Sequence, residues 1–132
     1  MSEENDLRRD GWDLIHVYTR AEAIEDGVLI DVSETAREAG FRFPVAMTDA
    51  AWHKLIAVPP ELGHQDEIGR LWDVLNVLLF SIRKSKDNSS EIRFRVSVLN
   101  EHEKLEEVEV KSLCGPGDNL EPVITIMLPD ED

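Results

Sequence analysis

The chain has 132 residues, 42% of them apolar and 32% charged, with 28 acidic against 14 basic side chains and a formal net charge of −14. That length suits one domain with a core of its own and is short for two. Mean hydropathy is −0.30 and no apolar run approaches the ~20 residues of a membrane helix, while negative charge on this scale repels phosphates, so neither membrane nor direct nucleic-acid binding is expected.

The charge is unevenly placed. Residues 1–32 hold nine acids and three bases, residues 33–100 nine of each, and residues 101–132 ten acids and two bases. The excess lies in the two end segments. Residues 1–10 are polar and predict disorder, without the basic start and apolar stretch of a signal peptide. Residues 12–18 are apolar enough to join a core as an extended piece. Thr19-Arg20-Ala21-Glu22 has the form of a capping box, so a short helix is expected from Arg20 to Gly27, whose glycine suits a helix end. Val28-Leu29-Ile30-Asp31-Val32 reads as a short strand. Ser33 is expected to cap a helix over 34–39 that Gly40 closes, with Glu34 favourably placed in its first turn. Residues 41–47 read as extended, and Pro44 predicts that any strand there lies at an edge. Thr48 or Asp49 then caps a helix over 50–57, with Trp52, Leu55 and Ile56 inward and His53 and Lys54 outward.

Pro59-Pro60 breaks the chain. Ile68, Leu71, Trp72, Leu75, Leu78, Leu79 and Ile82 follow a 3.6-residue period and predict a long buried helix over 66–82. Arg70, Asp73 and Asn76 mark its polar stripe, and Arg83, Lys84 and Lys86 suit its C-terminal end. After a turn at 87–90 the period becomes two. Ile92, Phe94, Val96 and Val98 alternate with Arg93, Arg95 and Ser97. Val108 and Val110 alternate with Glu107, Glu109 and Lys111, which predicts a hairpin with arginines facing glutamates. Gly115-Pro116-Gly117-Asp118-Asn119 is a dense turn signal, and residues 123–128 form a third strand. The order predicts an α+β fold: short N-terminal helices and extended segments, one long buried helix, then a C-terminal antiparallel three-strand meander packed on it. The expected layout is a disordered acidic lead over 1–10, one domain over 11–129 and a solvated acidic tail over 130–132.

Chemistry-bearing patterns are few. His16, His53, His64 and His102 lack metal-ligand spacing, and Cys114 is the only cysteine, so neither disulfide, metal nor cofactor is expected. Cys114 stands in an acidic segment, which disfavours a thiolate. Gly115 and Gly117 precede a strand and have neither a lysine nor a helix N-terminus to hold a phosphate. Glu25, Asp26 and Asp31 flank Gly27, where an acid/base pair would need a histidine or arginine beside it. The stretch from Arg20 to Trp52 is dense in caps and aromatic residues. Arg20, Asp26, Asp31 and His53 are therefore the candidate binding residues, with no catalytic residue assigned.

Several segments resemble one family. These are Arg20-Ala-Glu-Ala-Ile-Glu-Asp-Gly-Val-Leu-Ile-Asp-Val-Ser33, Phe43-Pro-Val-Ala-Met-Thr48 with Trp52 after it, Arg70-Leu-Trp-Asp-Val-Leu75, and Cys114-Gly-Pro-Gly-Asp118 leading to Glu121-Pro-Val-Ile-Thr-Ile-Met-Leu-Pro129. Together they are similar to an uncharacterised family of small proteins, a domain of unknown function, met in bacteria, on plasmids and in phages. The resemblance covers most of the chain beyond residue 12. It implies a bacterial or mobile-element setting, which agrees with a cytoplasmic location, and implies no activity, cofactor or site residue.

Three readings follow. The leading one is a non-enzymatic accessory or interaction protein whose acidic ends form one surface for a basic protein partner, imitating phosphate charge. The second is a small carboxylate-dependent enzyme with its site near Asp26 and Asp31, using His53 or His16. The third is a homodimer, suggested by the broad apolar stripe of the long helix.

Overall fold

The computed structural model describes residues 18–63, 66–85 and 89–131. The expectations for residues 1–17, for His64 and for Asp132 lie outside the described residues, as does the start of the turn before the hairpin. Among the described residues four helices, α1 (Arg20–Glu25), α2 (Ser33–Ala39), α3 (Asp49–Leu55) and α4 (Glu67–Lys84), accompany five strands, β1 (Leu29–Asp31), β2 (Val45–Thr48), β3 (Glu91–Leu99), β4 (Leu105–Pro116) and β5 (Pro122–Met127), with a 3₁₀ turn over Pro60–Leu62. The fold is α+β. The strands form one mixed sheet in the order β1-β2-β5-β4-β3.

The meander β3-β4-β5 is present and antiparallel, but it is three-fifths of a larger sheet. β2 runs parallel to β5, pairing Val45 with Ile124 and Met47 with Ile126, and antiparallel to β1. The expectation that a strand near Pro44 would be an edge is corrected: β2 is paired on both sides. Its first residue is Val45, so the missing N–H of Pro44 falls outside the strand, and the Pro44 carbonyl still accepts from Ile124 N at 2.9 Å. Proline's lost donor matters only within the ladder.

Ser33 also differs from expectation. It is the first residue of α2, and the N-cap position is held by Val32, which makes no side-chain cap bond. Its hydroxyl instead accepts from Val45 N at 3.0 Å and donates to Val45 O at 3.2 Å, tying the start of α2 to the start of β2. The end of α2 is closed as expected. Gly40 takes φ 118°, and Phe41 N reaches back to Ala36 O at 2.9 Å, a bond that requires the left-handed residue between them.

One face of the sheet carries the main core. Val45, Met47, Phe94, Val96, Val110, Ile124 and Ile126 pack with Leu71, Val74, Leu75 and Leu78 of α4 and with Ala36, Ala51 and Leu55 of the shorter helices. α4 is fixed at its start by Asp66, whose carboxylate accepts from Ile68 N at 3.1 Å. Arg70, read from sequence as part of the polar stripe, lies on the buried side: its guanidinium donates to Ala57 O at 3.1 Å and Leu99 O at 2.6 Å. Two carbonyls at loop ends thus receive a charged donor in place of water. Ile68, counted in the apolar stripe, and Phe80 beyond it stand exposed, so α4 buries one broad side.

On the opposite face the hairpin sets Arg95 across from Glu109 and Arg93 across from Lys111. The ion pairs are diagonal, Arg93 to Glu109 at 3.8 Å and Arg95 to Glu107 at 3.6 Å, and being exposed they contribute little. The same face is covered at its β1-β2-β5 end, where Ala46, Val123 and Met127 are buried. The C-terminal residues close part of it. Glu131, expected in a solvated tail, accepts from Thr48 Oγ1 and Leu128 N, each at 2.8 Å, and its carbonyl receives the Lys111 ammonium. Asp130 does stand exposed.

Gly40→Ala is expected to destabilise the protein by about 1–2 kcal/mol, because the left-handed backbone disfavours any side chain and the new methyl would meet Leu79 Cδ2 at 3.2 Å. Gly63→Ala, at φ −60° with open space around it, is expected to be neutral or slightly stabilising. Urea unfolding of both variants checks the contrast.

Candidate functional site

α1 has six residues, too few to persist without help, and its ends are fully bonded. Glu22 N donates to Thr19 Oγ1 at 3.0 Å, and Thr19 N donates to Glu22 Oε1 at 2.9 Å, the two halves of the capping box. The remaining first-turn N–H groups of Arg20 and Ala21 donate to the two carboxylate oxygens of Asp118 at 2.8 and 3.0 Å. At the other end Gly27 N reaches Ile24 O and Val28 N reaches Ala23 O, a Schellman closure around Gly27 at φ 80°. Local sequence thus ends the helix, but a residue of the β4–β5 turn completes its start.

Arg20 fixes α1 across the sheet. Its guanidinium donates to Thr125 Oγ1 at 2.7 Å and to Ile124 O at 2.9 Å. Burial pulls this group below the ordinary arginine range, while Asp31, Asp118 and Glu121 act in the opposite direction. Between α1 and the outer sheet face lies a groove of about 800 Å³. Leu29, Leu113, Val123 and Met127 give it an apolar floor, and Asp26, Asp49 and Glu131 stand among its lining. Tyr18 is at one wall, where its hydroxyl donates to Asp26 Oδ2 at 2.8 Å.

The sequence candidates fall in three places. Arg20 and Asp26 line this groove. Asp31 lines a smaller adjoining cavity of about 190 Å³ with Arg20, Asp118 and Glu121, and its carboxylate accepts from Ser33 N at 3.0 Å. His53 is exposed on α3, its Nδ1 3.1 Å from Asp49 Oδ1, and lines a different cavity with Lys54 and Arg70. Arg20 therefore joins Asp26 and Asp31, but His53 meets neither of them. Of the histidine or arginine that the enzyme reading asks for beside Asp26 or Asp31, Arg20 alone is there, its guanidinium engaged by Thr125 and Ile124. Among the described residues no group of three or more His, Cys, Asp or Glu is placed to hold a metal, and no helix is long and apolar enough to cross a membrane. Cys114 is half-buried and packs against the main core.

Asp118, Tyr18, Thr125 and Glu131 belong to the site and were not singled out from sequence. Asp118 carried a turn signal, which it fulfils, and nothing local announces its bond to a helix start 98 residues earlier.

Fold and groove define a small α+β domain with a mixed five-stranded sheet, α2, α3 and α4 on one face, and α1 beside an acid-lined depression on the other. The chain belongs to a family of unknown function (DUF6573), whose model matches residues 7–132. Neither the curated proteins nor the solved structures held a match.

Tyr18 is the only tyrosine, so phenolate absorbance reads this wall of the groove alone. Its hydrogen bond to Asp26, then burial and the Asp26 and Glu22 charges, raise its pKa. The midpoint is expected above the ordinary value of about 10, and Asp26→Asn is expected to lower it. A group raised on folding stabilises below its unfolded pKa and loses that contribution as pH rises through the folded one. The bond therefore counts at neutral pH and is lost in strong alkali.

Proposed function

We propose that this protein is a non-enzymatic interaction protein of bacterial or mobile-element origin that acts in the cytoplasm and binds a basic protein partner through an acidic face. The observation that supports the reading is the meeting of residues 20–31 with residues 118–131. Asp118 of the C-terminal segment holds the first turn of α1, and two cavities sharing Arg20 are lined by Asp26, Asp49 and Glu131 on one side and by Asp31, Asp118 and Glu121 on the other.

Nearby cations are turned inward. Arg20 is engaged with Thr125 and Ile124, and Lys111 is buried against the Glu131 carbonyl. Acids farther along β4 have partners: Glu106 with Lys54, Glu107 with Arg95 and Glu109 with Arg93. Among the described residues these three carboxylates of β4 are thus paired, while Asp26, Asp31, Asp118 and Glu121 gather around α1 with Arg20. Gathering like charge opposes folding, and a basic partner that imposes the complementary field would relieve it. A partner whose own surface is built for phosphates fits that chemistry.

The two other readings have less support. The enzyme reading needs Asp26 or Asp31 beside a histidine or arginine, and the neighbour they share is Arg20, whose guanidinium is engaged by Thr125 and Ile124. The homodimer reading drew on the apolar width of α4, most of which faces this chain's own sheet.

Immobilised full-length protein is expected to retain basic proteins from bacterial lysate at ~50 mM salt and to release them by ~0.5 M, as screened charges should. Glu25→Lys/Asp130→Lys, which reverses two exposed carboxylates, is expected to reduce retention several-fold. Failure to retain any basic protein at low salt, or retention indifferent to salt, overturns the reading.

A further inference from the structure

We infer that the groove between α1 and the outer sheet face is a docking site for a partner segment whose apolar side chains are flanked by lysine or arginine. The inference rests on the acidic-face reading above and specifies where on that face the contact is made and by what chemistry.

Two features of the groove differ in kind. Its floor is apolar, built from Leu113, Val123 and Met127 as the outward residues of β4 and β5. Its rim is anionic, with Asp26, Asp49 and Glu131. Removing apolar surface from water favours an apolar occupant of the floor. The rim selects a cationic flank and opposes an anionic one. The cation in the lining, Arg20, spends donors on Thr125 and Ile124, so it serves the protein's own structure.

Gly115 contributes to the depth. It pairs with Val123 and lines the groove, yet a Cβ built on it meets nothing within 4 Å, and its φ is not in the left-handed region. Neither backbone conformation nor packing around the Cβ position demands glycine there. What its missing side chain does is leave the floor open. The same geometry offers a direct way to fill the groove, since a large side chain at 115 enters it without backbone strain.

Two labelled synthetic peptides of equal length and charge, one alternating lysine with leucine and one alternating lysine with serine, test this by fluorescence anisotropy on the full chain. The lysine–leucine peptide is expected to bind at least tenfold more tightly, with Gly115→Trp removing that preference and leaving lysine–serine binding unchanged. Leu113→Thr, a strand-compatible change in the floor, is expected to reduce the preference several-fold and serves if tryptophan at 115 disturbs folding. Equal binding of both peptides, or a preference that survives both substitutions, overturns the groove assignment while the acidic-face reading stands. Binding of neither peptide overturns both. A dimer that Gly115→Trp splits, together with loss of the preference, assigns the groove to a second copy and also overturns the proposal.

Discussion

The last strand of the chain is paired on both sides, and the rest of the structure depends on that double pairing. β5 lies antiparallel to β4 and parallel to β2. Without it the molecule would be a hairpin under a helix on one side and a two-strand fragment with short helices on the other. Parallel pairing between strands remote in sequence is entropically expensive to form. Here it is supported by a continuous apolar row through Met47 and Ile126 and by the bond from Ile124 N to the Pro44 carbonyl.

The position of β5 also decides which residues meet around α1. The turn leading into it places Asp118 over the start of α1, and the residues after it return Glu131 to Thr48. Leu120 in that turn holds a left-handed φ of 67° with its N–H bonded to Gly117 O, a conformation that costs a non-glycine residue about 1 kcal/mol or more. The topology therefore gathers Asp26, Asp31, Asp118, Glu121 and Glu131 on the face that α1 partly covers, with Arg20 and Lys111 directed inward. The apolar groove lies within that face because α1, being short, covers only part of the sheet surface beneath it.

Local structure was legible in the sequence, and long-range pairing was not. The 3.6-residue stripe of α4 and the two-residue alternation of β3 and β4 are consequences of burying one side of an element, so they are written in neighbouring residues. The capping box at Thr19 and the glycine closures at Gly27 and Gly40 are local in the same sense. Pro44 misled because a proline just before a strand and one inside it look alike in a short apolar run. Ser33 misled because its hydroxyl had a tertiary acceptor and donor in Val45 that outweighed the first turn of its own helix. Arg70 sits at a helical position that pattern alone assigns to solvent; two loop carbonyls made burial tolerable. Of the site, Arg20 and Asp26 were marked by the density of signals around α1. Their relation to Asp118, Thr125 and Glu131 depends on how the sheet closes, which no spacing within the first fifty residues encodes.

The central claim is that β5 joins the two halves of the sheet and thereby brings Asp118 to the start of α1 and Glu131 to Thr48. Long-range nuclear Overhauser contacts in the isotopically labelled full chain test it most directly. The account expects contacts between Met47 and Ile126 in parallel register, together with contacts from the Arg20 side chain to Thr125. A pattern in which β5 contacts β4 alone, with nothing from Arg20 to the sheet, would contradict it.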